Sequence, residues 1–135
     1  MASIYSEIRA ALEVKLNSIA DVPYIVWENV EYSPSTGVPY IKPRLVPTTR
    51  EPAVRGTNPQ MYYQGLFRID CYVPQDLGPN AADDLADKLI DAFEATTDVS
   101  NGGTIVSIRY AERDFGSIDG TFYTVPVNIG WYHYS

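Results

Sequence analysis

The sequence predicts an α+β fold: a mainly antiparallel sheet of four to five strands with two helices packed on one face, in the order α-β-β-β-α-β-β. Two observations predict it. Two segments repeat apolar residues at the three- and four-residue spacing of a helix. The segments between and after them alternate apolar and polar residues, as in strands with one buried face. At 135 residues the chain has the length of one domain, and residues 1–135 are treated as one.

Two helices are predicted. The first covers about residues 3–19 with Ser3 as its N-cap, and its apolar stripe consists of Ile4, Ile8, Leu12, Leu16 and Ile19. The second covers about residues 81–95 with Asn80 as its N-cap, and its apolar stripe consists of Leu85, Leu89 and Phe93.

The predicted strands cover residues 24–27, 40–46, 61–74, 104–110 and 121–134. The two longest, 61–74 and 121–134, are expected at the centre of the sheet. Prolines interrupt the 40–46 strand and its flanks, and proline cannot donate to a strand ladder, so this should be an edge strand or have one side unpaired. Asp119-Gly120 predicts a hairpin turn before the last strand.

Residues 47–60 show no apolar periodicity and hold three prolines, so they are predicted to be a long loop. Long loops in compact domains commonly carry function. This loop contains Arg50 and Arg55 and is followed by Met61, Tyr62 and Tyr63, which are residue types enriched at protein interfaces. The alternative is a solvated hairpin tip.

No catalytic, cofactor or metal site is predicted. The single cysteine and single histidine, Cys71 and His133, could in principle form a nucleophilic pair. Cys71 lies on the apolar face of a predicted strand, which favours a buried structural role. One thiol and one imidazole cannot complete a zinc site, and the helical carboxylates lack the loop arrangement that binds calcium. The first seven residues lack the pattern of a signal peptide, and no apolar stretch approaches the roughly 20 residues that cross a bilayer, so we expect the chain in the cytoplasm.

Charge is distributed unevenly along the chain. The net charge of −7 argues against general nucleic-acid binding. Lys42, Arg44, Arg50 and Arg55 fall in one stretch, whereas the second predicted helix carries Asp84, Asp87 and Asp91. Such polarity suits subunits that meet head to tail, although two solvated faces of opposite sign remain the alternative. The predicted interface residues are Lys42, Arg44, Arg50, Arg55, Met61, Tyr62, Tyr63, Asp84, Asp87 and Asp91.

In the order and spacing of its segments, the chain resembles the tail-terminator or tail-completion proteins of siphovirus-type bacteriophages. The segments that carry the resemblance are Ile8–Glu13, Ile25–Val30, Pro39–Ile41, Tyr63–Asp70, Val73-Pro74, Gly78-Pro79, Ala82–Leu89 and Val125–Val127.

The resemblance implies a non-enzymatic structural subunit of the virion tail that is assembled in the host cytoplasm. It implies a homohexameric ring that caps the head-proximal end of the tail tube, stops its polymerisation and joins the tail to a head connector or stopper protein. Genome DNA would pass through the ring without specific binding. The alternatives are another head–tail joining or minor tail protein, or a small monomeric protein-binding module; an enzyme is a remote third.

Overall fold

A computed structural model describes residues 3–35, 37–54, 56, 60–75, 79–94 and 97–135. Within these ranges the chain forms two helices, α1 (Ile4–Asn17) and α2 (Pro79–Ala92), and a seven-stranded sheet. The strands are β1 (Tyr24–Ile25), β2 (Tyr40–Pro52), β3 (Met61–Pro74), β4 (Asp98–Asn101), β5 (Thr104–Arg113), β6 (Ser117–Asp119) and β7 (Phe122–Tyr134). The predicted fold class is confirmed.

The sheet is antiparallel apart from the short β1–β2 pair. Its strand order is β1-β2-β3-β7-β5-β4, and β6 pairs with β7 beyond the end of β5. The two longest predicted strands, β3 and β7, lie at the centre, as predicted, and the structure places them side by side. Their register pairs Tyr62 with Tyr134 at one end and Pro74 with Phe122 at the other.

Both helices pack on one face of this sheet and enclose the main core. On β3 the buried positions are those predicted by alternation, with Phe67, Ile69 and Cys71 fully buried. The intervening residues, including Arg68 and Asp70, are half-buried on the opposite face, which we call the open face. At one end of the open face, the segment that follows β1 covers a second small core of Val26, Tyr40 and Phe122.

Helix α1 begins after Ser3, whose side-chain oxygen accepts a hydrogen bond of 3.1 Å from the Ser6 N–H. The predicted cap is therefore confirmed. Helix α2 begins at Pro79, so the prediction of Asn80 as its N-cap is wrong. Proline is favoured at the first helical position because its missing N–H would have no helical acceptor there. The helix ends at Ala92; Ala95, the predicted end, lies outside the described residues.

Strand β2 continues to Pro52, so residues 47–52 belong to a strand and not to the predicted loop. These six residues are mostly exposed, and a strand without a buried face has no apolar alternation to reveal it. A register shift between Pro47 and Thr49 marks a β-bulge within this extension. The connection to β3 shortens to residues 53–60, and the Ala53 N–H still donates to the Gln60 carbonyl at 2.7 Å.

The sheet has two short strands that the sequence did not predict, β4 and β6. They contain four and three residues, and of these only Val99 is buried, so neither shows a strand period. The predicted hairpin before the last strand is present: Asp119 pairs with Phe122, and Gly120 has a φ of 63°, which glycine adopts readily.

Candidate subunit interface

The two residues that could have formed a nucleophilic pair lie at opposite ends of the central strands. Cys71 is paired with Val125, whereas His133 is paired with Tyr63, eight positions away along β3 and thus roughly 26 Å distant at the rise of a strand. Burial raises the pKa of the Cys71 thiol to about 12, so it stays protonated near neutral pH. His133 is buried, and its Nδ1 lies 2.6 Å from the Ile105 carbonyl oxygen, to which it donates. The burial of both residues and the distance between them indicate a structural role for each.

Among the described residues, no group of three or more histidine, cysteine, aspartate or glutamate side chains could hold a metal ion. In the same residues, no helix is long and apolar enough to cross a membrane.

The carboxylates of α2 divide between two directions. Asp84, Asp87 and Asp91 recur at spacings of three and four residues, and all are exposed on the side of the helix away from the sheet. Glu94, just beyond the helix, is also exposed. We call these four residues the acidic stripe. Asp83 points elsewhere and forms an ion pair with Arg113 on β5.

The acidic stripe has no basic side-chain partner within the part of the chain that the structure describes. Lys88 lies on the same helix, but its Nζ donates to the carbonyl oxygen of Asp21, just after α1, at 3.0 Å. This hydrogen bond directs the ammonium group toward Asp21 and away from the acidic stripe. Four negative charges along one helical stripe repel one another, and opposite charge from a partner surface would relieve that repulsion.

Two of the predicted basic residues of β2 lie on the open face. Lys42 and Arg44 are exposed, and the register sets Lys42 opposite Asp70 and Arg44 opposite Arg68. Arg68 pairs with Asp70 at 3.0 Å, which leaves Lys42 and Arg44 without a carboxylate among the described ion pairs. We call Lys42, Arg44 and Arg68 the basic patch. Sequence reasoning omitted Arg68, although the alternation along β3 places it on the same face as Asp70.

A cleft of about 340 Å³ adjoins the basic patch. One wall is the turn at residues 26–30, and the other is formed by Lys42, Arg44, Asp70 and Tyr72. The Lys42 ammonium lies 5.8 Å from the centre of the Tyr72 ring. The cleft is lined by two cations and two carboxylates. Glu28 and Asp70 are already paired with Arg9 and Arg68, so Lys42 and Arg44 are the charges in it that an incoming carboxylate could pair with.

The remaining predicted interface residues have mixed surroundings at the other end of β3. The Tyr63 side chain is only 5% exposed and meets Tyr5 of α1 edge to face, so in the single chain it belongs to the core. The Arg50 guanidinium covers its ring at 5.8 Å. Met61 is half-buried against the core. Arg55 lies outside the described residues.

Tyr62, by contrast, lies on the open face and donates a hydrogen bond of 2.7 Å to Gln64. Its ring packs against Tyr132 and Tyr134 of β7, with centroids 6.2 and 5.1 Å away. These three tyrosines form an uncharged aromatic surface on the same face as the basic patch. Tyr132 and Tyr134 were missed because the sequence does not reveal which strand neighbours β3.

The basic patch and the acidic stripe lie on opposite sides of the molecule, because α2 covers one face of the sheet and Lys42, Arg44 and Arg68 project from the other. The two surfaces cannot meet within one chain. Two copies could bring them together only by packing the helical side of one against the open face of the next. Such a contact joins different surfaces, and its repetition gives a closed ring or an open filament.

Comparison with known proteins adds an independent observation. A family model described as phage tail terminator protein matches residues 7–131. A solved structure with 23% sequence identity matches with a TM-score of 0.75, over 99% of this chain and 97% of the other; at this identity it supports the fold alone. No individually curated protein matches the sequence.

Proposed function

Because the chain belongs to the phage tail terminator family, we propose that it forms a ring of six copies at the head-proximal end of the tail tube. The ring stops polymerisation of the tube protein and joins the tail to a head connector or stopper protein. The family is structural, and its membership implies a place in the virion tail and contact with the tail tube. Enzymatic chemistry plays no part in this role.

The placement of charge on opposite sides of the molecule carries the ring proposal. The acidic stripe of one subunit packs over the basic patch of its neighbour, with the carboxylates of Asp87 and Asp91 facing Lys42 and Arg44. Opposite potentials on two different surfaces fix the direction of packing and disfavour the symmetric two-copy contact, in which like charges would meet. The tyrosines beside the patch supply uncharged contact area.

The net charge of −7 supports a further part of this role. DNA leaving the head must cross the ring, and a subunit with excess negative charge repels phosphates instead of holding them. No specific DNA contact is proposed.

A charge-swap series tests the proposed contact. Reversing Asp87 and Asp91 to lysine should abolish ring formation, because it sets like charges against the basic patch. Adding Lys42→Glu and Arg44→Glu to the same chain should restore rings. Asp98→Lys, an exposed charge on β4 at the opposite edge of the sheet from β2, is the control and should leave assembly unchanged.

Multi-angle light scattering gives the mass of each variant. Rings in the acidic-stripe variant, or no recovery in the four-residue swap when its circular dichroism is native, would show that the two surfaces do not meet. A wild-type chain that remains a monomer even beside tail tube protein would favour the monomeric binding module.

A further inference from the structure

Strand β2 forms an outer edge of the sheet for most of its length. Strand β1 pairs with it only at Tyr40 and Ile41. From Lys42 to Pro52, no strand in the described ranges pairs with its outer side. A free edge of this length is a template for adding a strand from another chain.

The outward-facing backbone groups of β2 can be identified from its hydrogen bonds. The Ile41 carbonyl accepts from the Val26 N–H, and the Leu45 N–H donates to the Glu28 side chain. The backbone N–H and C=O groups of both residues therefore point outward, away from β3 in the plane of the sheet. Below, an outward residue is one whose backbone groups point this way. Alternate residues of a strand point the same way, which places Pro43 and Pro47 outward as well.

The bulge after Pro47 moves this alternation by one residue. Beyond it, Thr49 is opposite Gln64 and Glu51 is opposite Tyr62. The even-numbered residues of β3, which include Gln64 and Tyr62, direct their backbone hydrogen bonds to β2. The backbone groups of their partners Thr49 and Glu51 therefore point inward, and those of Arg50 and Pro52 point outward. Between Pro43 and Pro52, the outward positions are therefore Pro43, Leu45, Pro47, Arg50 and Pro52.

Three of these five positions are prolines, which have no N–H to offer an added strand. At the fourth, the Leu45 N–H is already bonded to Glu28 Oε1 at 2.9 Å. Only Arg50 keeps an outward N–H without an acceptor among the described residues. The outward carbonyl groups of β2 can still accept hydrogen bonds, but with a single donor on β2 an added strand would leave most of its own carbonyl groups without a partner.

Glu28 is held in this position from two sides. Arg9 of α1 lies 3.5 Å from the same Oε1 atom. A tight turn follows, in which Asn29 adopts a φ of 64° and the Val30 N–H donates to the Trp27 carbonyl at 3.2 Å. The turn sets the Glu28 side chain against the strand, where it occupies the place that a partner strand would take.

We propose that the outer edge of β2 is closed to strand addition. Prolines remove most of its outward N–H donors, and Glu28 occupies the outward N–H of Leu45, near the centre of the strand. Copies of this chain consequently associate through side-chain surfaces and do not join their sheets edge to edge. This inference does not depend on the tail function, because it concerns any second strand that approaches the edge.

The test reopens the edge with Glu28→Ala and Pro47→Val in one chain. Pro47 is exposed, so valine adds an outward N–H without disturbing the core. We expect the double variant to grow with concentration into particles several-fold heavier than those of the wild type, and to bind a dye specific for stacked β-sheet. The matched control is Glu31→Ala with Pro34→Val, two exposed positions in the preceding segment.

Glu28→Gln separates capping from charge, because its amide oxygen can still accept from the Leu45 N–H. With Pro47 unchanged, it should keep the wild-type mass distribution, whereas Glu28→Ala should speed hydrogen exchange at the Leu45 amide. The proposal is overturned if the Glu28→Ala, Pro47→Val chain, native by circular dichroism, keeps the wild-type mass over the same concentrations. Equal exchange at Leu45 in the alanine and glutamine variants would overturn the role of Glu28.

Discussion

Cys71 lies on the central strand with none of its side chain exposed, and burial raises the pKa of its thiol to about 12. The thiolate is the reactive form, so both access and ionisation are suppressed in the folded chain. We expect a thiol reagent at pH 8 to label Cys71 slowly in buffer and fully in denaturant. Rapid labelling of the native chain, followed by absorbance, would contradict the buried assignment.

The same shift makes stability fall at alkaline pH. The pKa of the folded thiol is about 12, whereas an exposed thiol in the unfolded chain loses its proton near pH 9.0. Between these values the native state binds more protons than the unfolded state, so the free energy of unfolding decreases as pH rises. Cys71→Ala should show a shallower decrease than the wild type between pH 9 and pH 11 in urea titrations. An unchanged slope would count against this explanation.

Gly65 is the position where two strands and an indole ring come closest. A Cβ there would lie 2.5 Å from the Val46 carbonyl oxygen and 2.7 Å from Cζ2 of Trp131. Trp131 is fully buried, and the backbone of β2 cannot move without shifting its register. We expect Gly65→Ala to lower the free energy of unfolding by about 3 kcal/mol, measured in urea.

Gly130→Ala provides the comparison on the open face. Its added Cβ would meet the ring of Tyr110 at 2.3 Å, but that side chain is half-exposed and can turn into solvent. Its cost should therefore be about 1 kcal/mol. Equal costs for the two variants would mean that Trp131 adjusts more freely than its burial indicates.

At the scale of elements, the predictable parts are those whose burial alternates. The β3 bounds were predicted to the residue because every second side chain from Tyr63 to Val73 enters the core. Residues 47–52 were predicted to be a loop because they are mostly exposed, and an exposed strand needs no alternation of apolar and polar residues. The prolines that seemed to interrupt β2 instead occupy its outward positions, where an edge strand tolerates them.

The connection between β2 and β3 can be shortened to test whether Arg55 belongs to the interface. Because Ala53 and Gln60 are still hydrogen-bonded, replacing residues 54–59 by Asn-Gly should leave both strands in register. If Arg55 contributes to assembly, this shortened chain should keep its thermal midpoint and lose affinity for tail tube protein. A shortened chain that binds as well as the wild type would remove residues 54–59, and Arg55 with them, from the interface.

For the whole molecule, the sequence predicts the two charged stretches but not their relation in space. Lys42 and Asp87 are 45 residues apart, and only the packing of α2 on one face of the sheet sets them on opposite sides. The same packing buries Tyr63 and exposes Tyr62, a distinction that depends on register. Arg68 and the β7 tyrosines join the surface because β3 lies between β2 and β7.

If this chain caps the tail tube as a ring, it should change the tubes seen by electron microscopy when tail tube protein is polymerised with and without it. We expect shorter tubes that carry a ring with a central hole at one end, and no such effect from the Asp87→Lys, Asp91→Lys variant. Tubes of unchanged length with bare ends in the presence of the wild-type chain would contradict it.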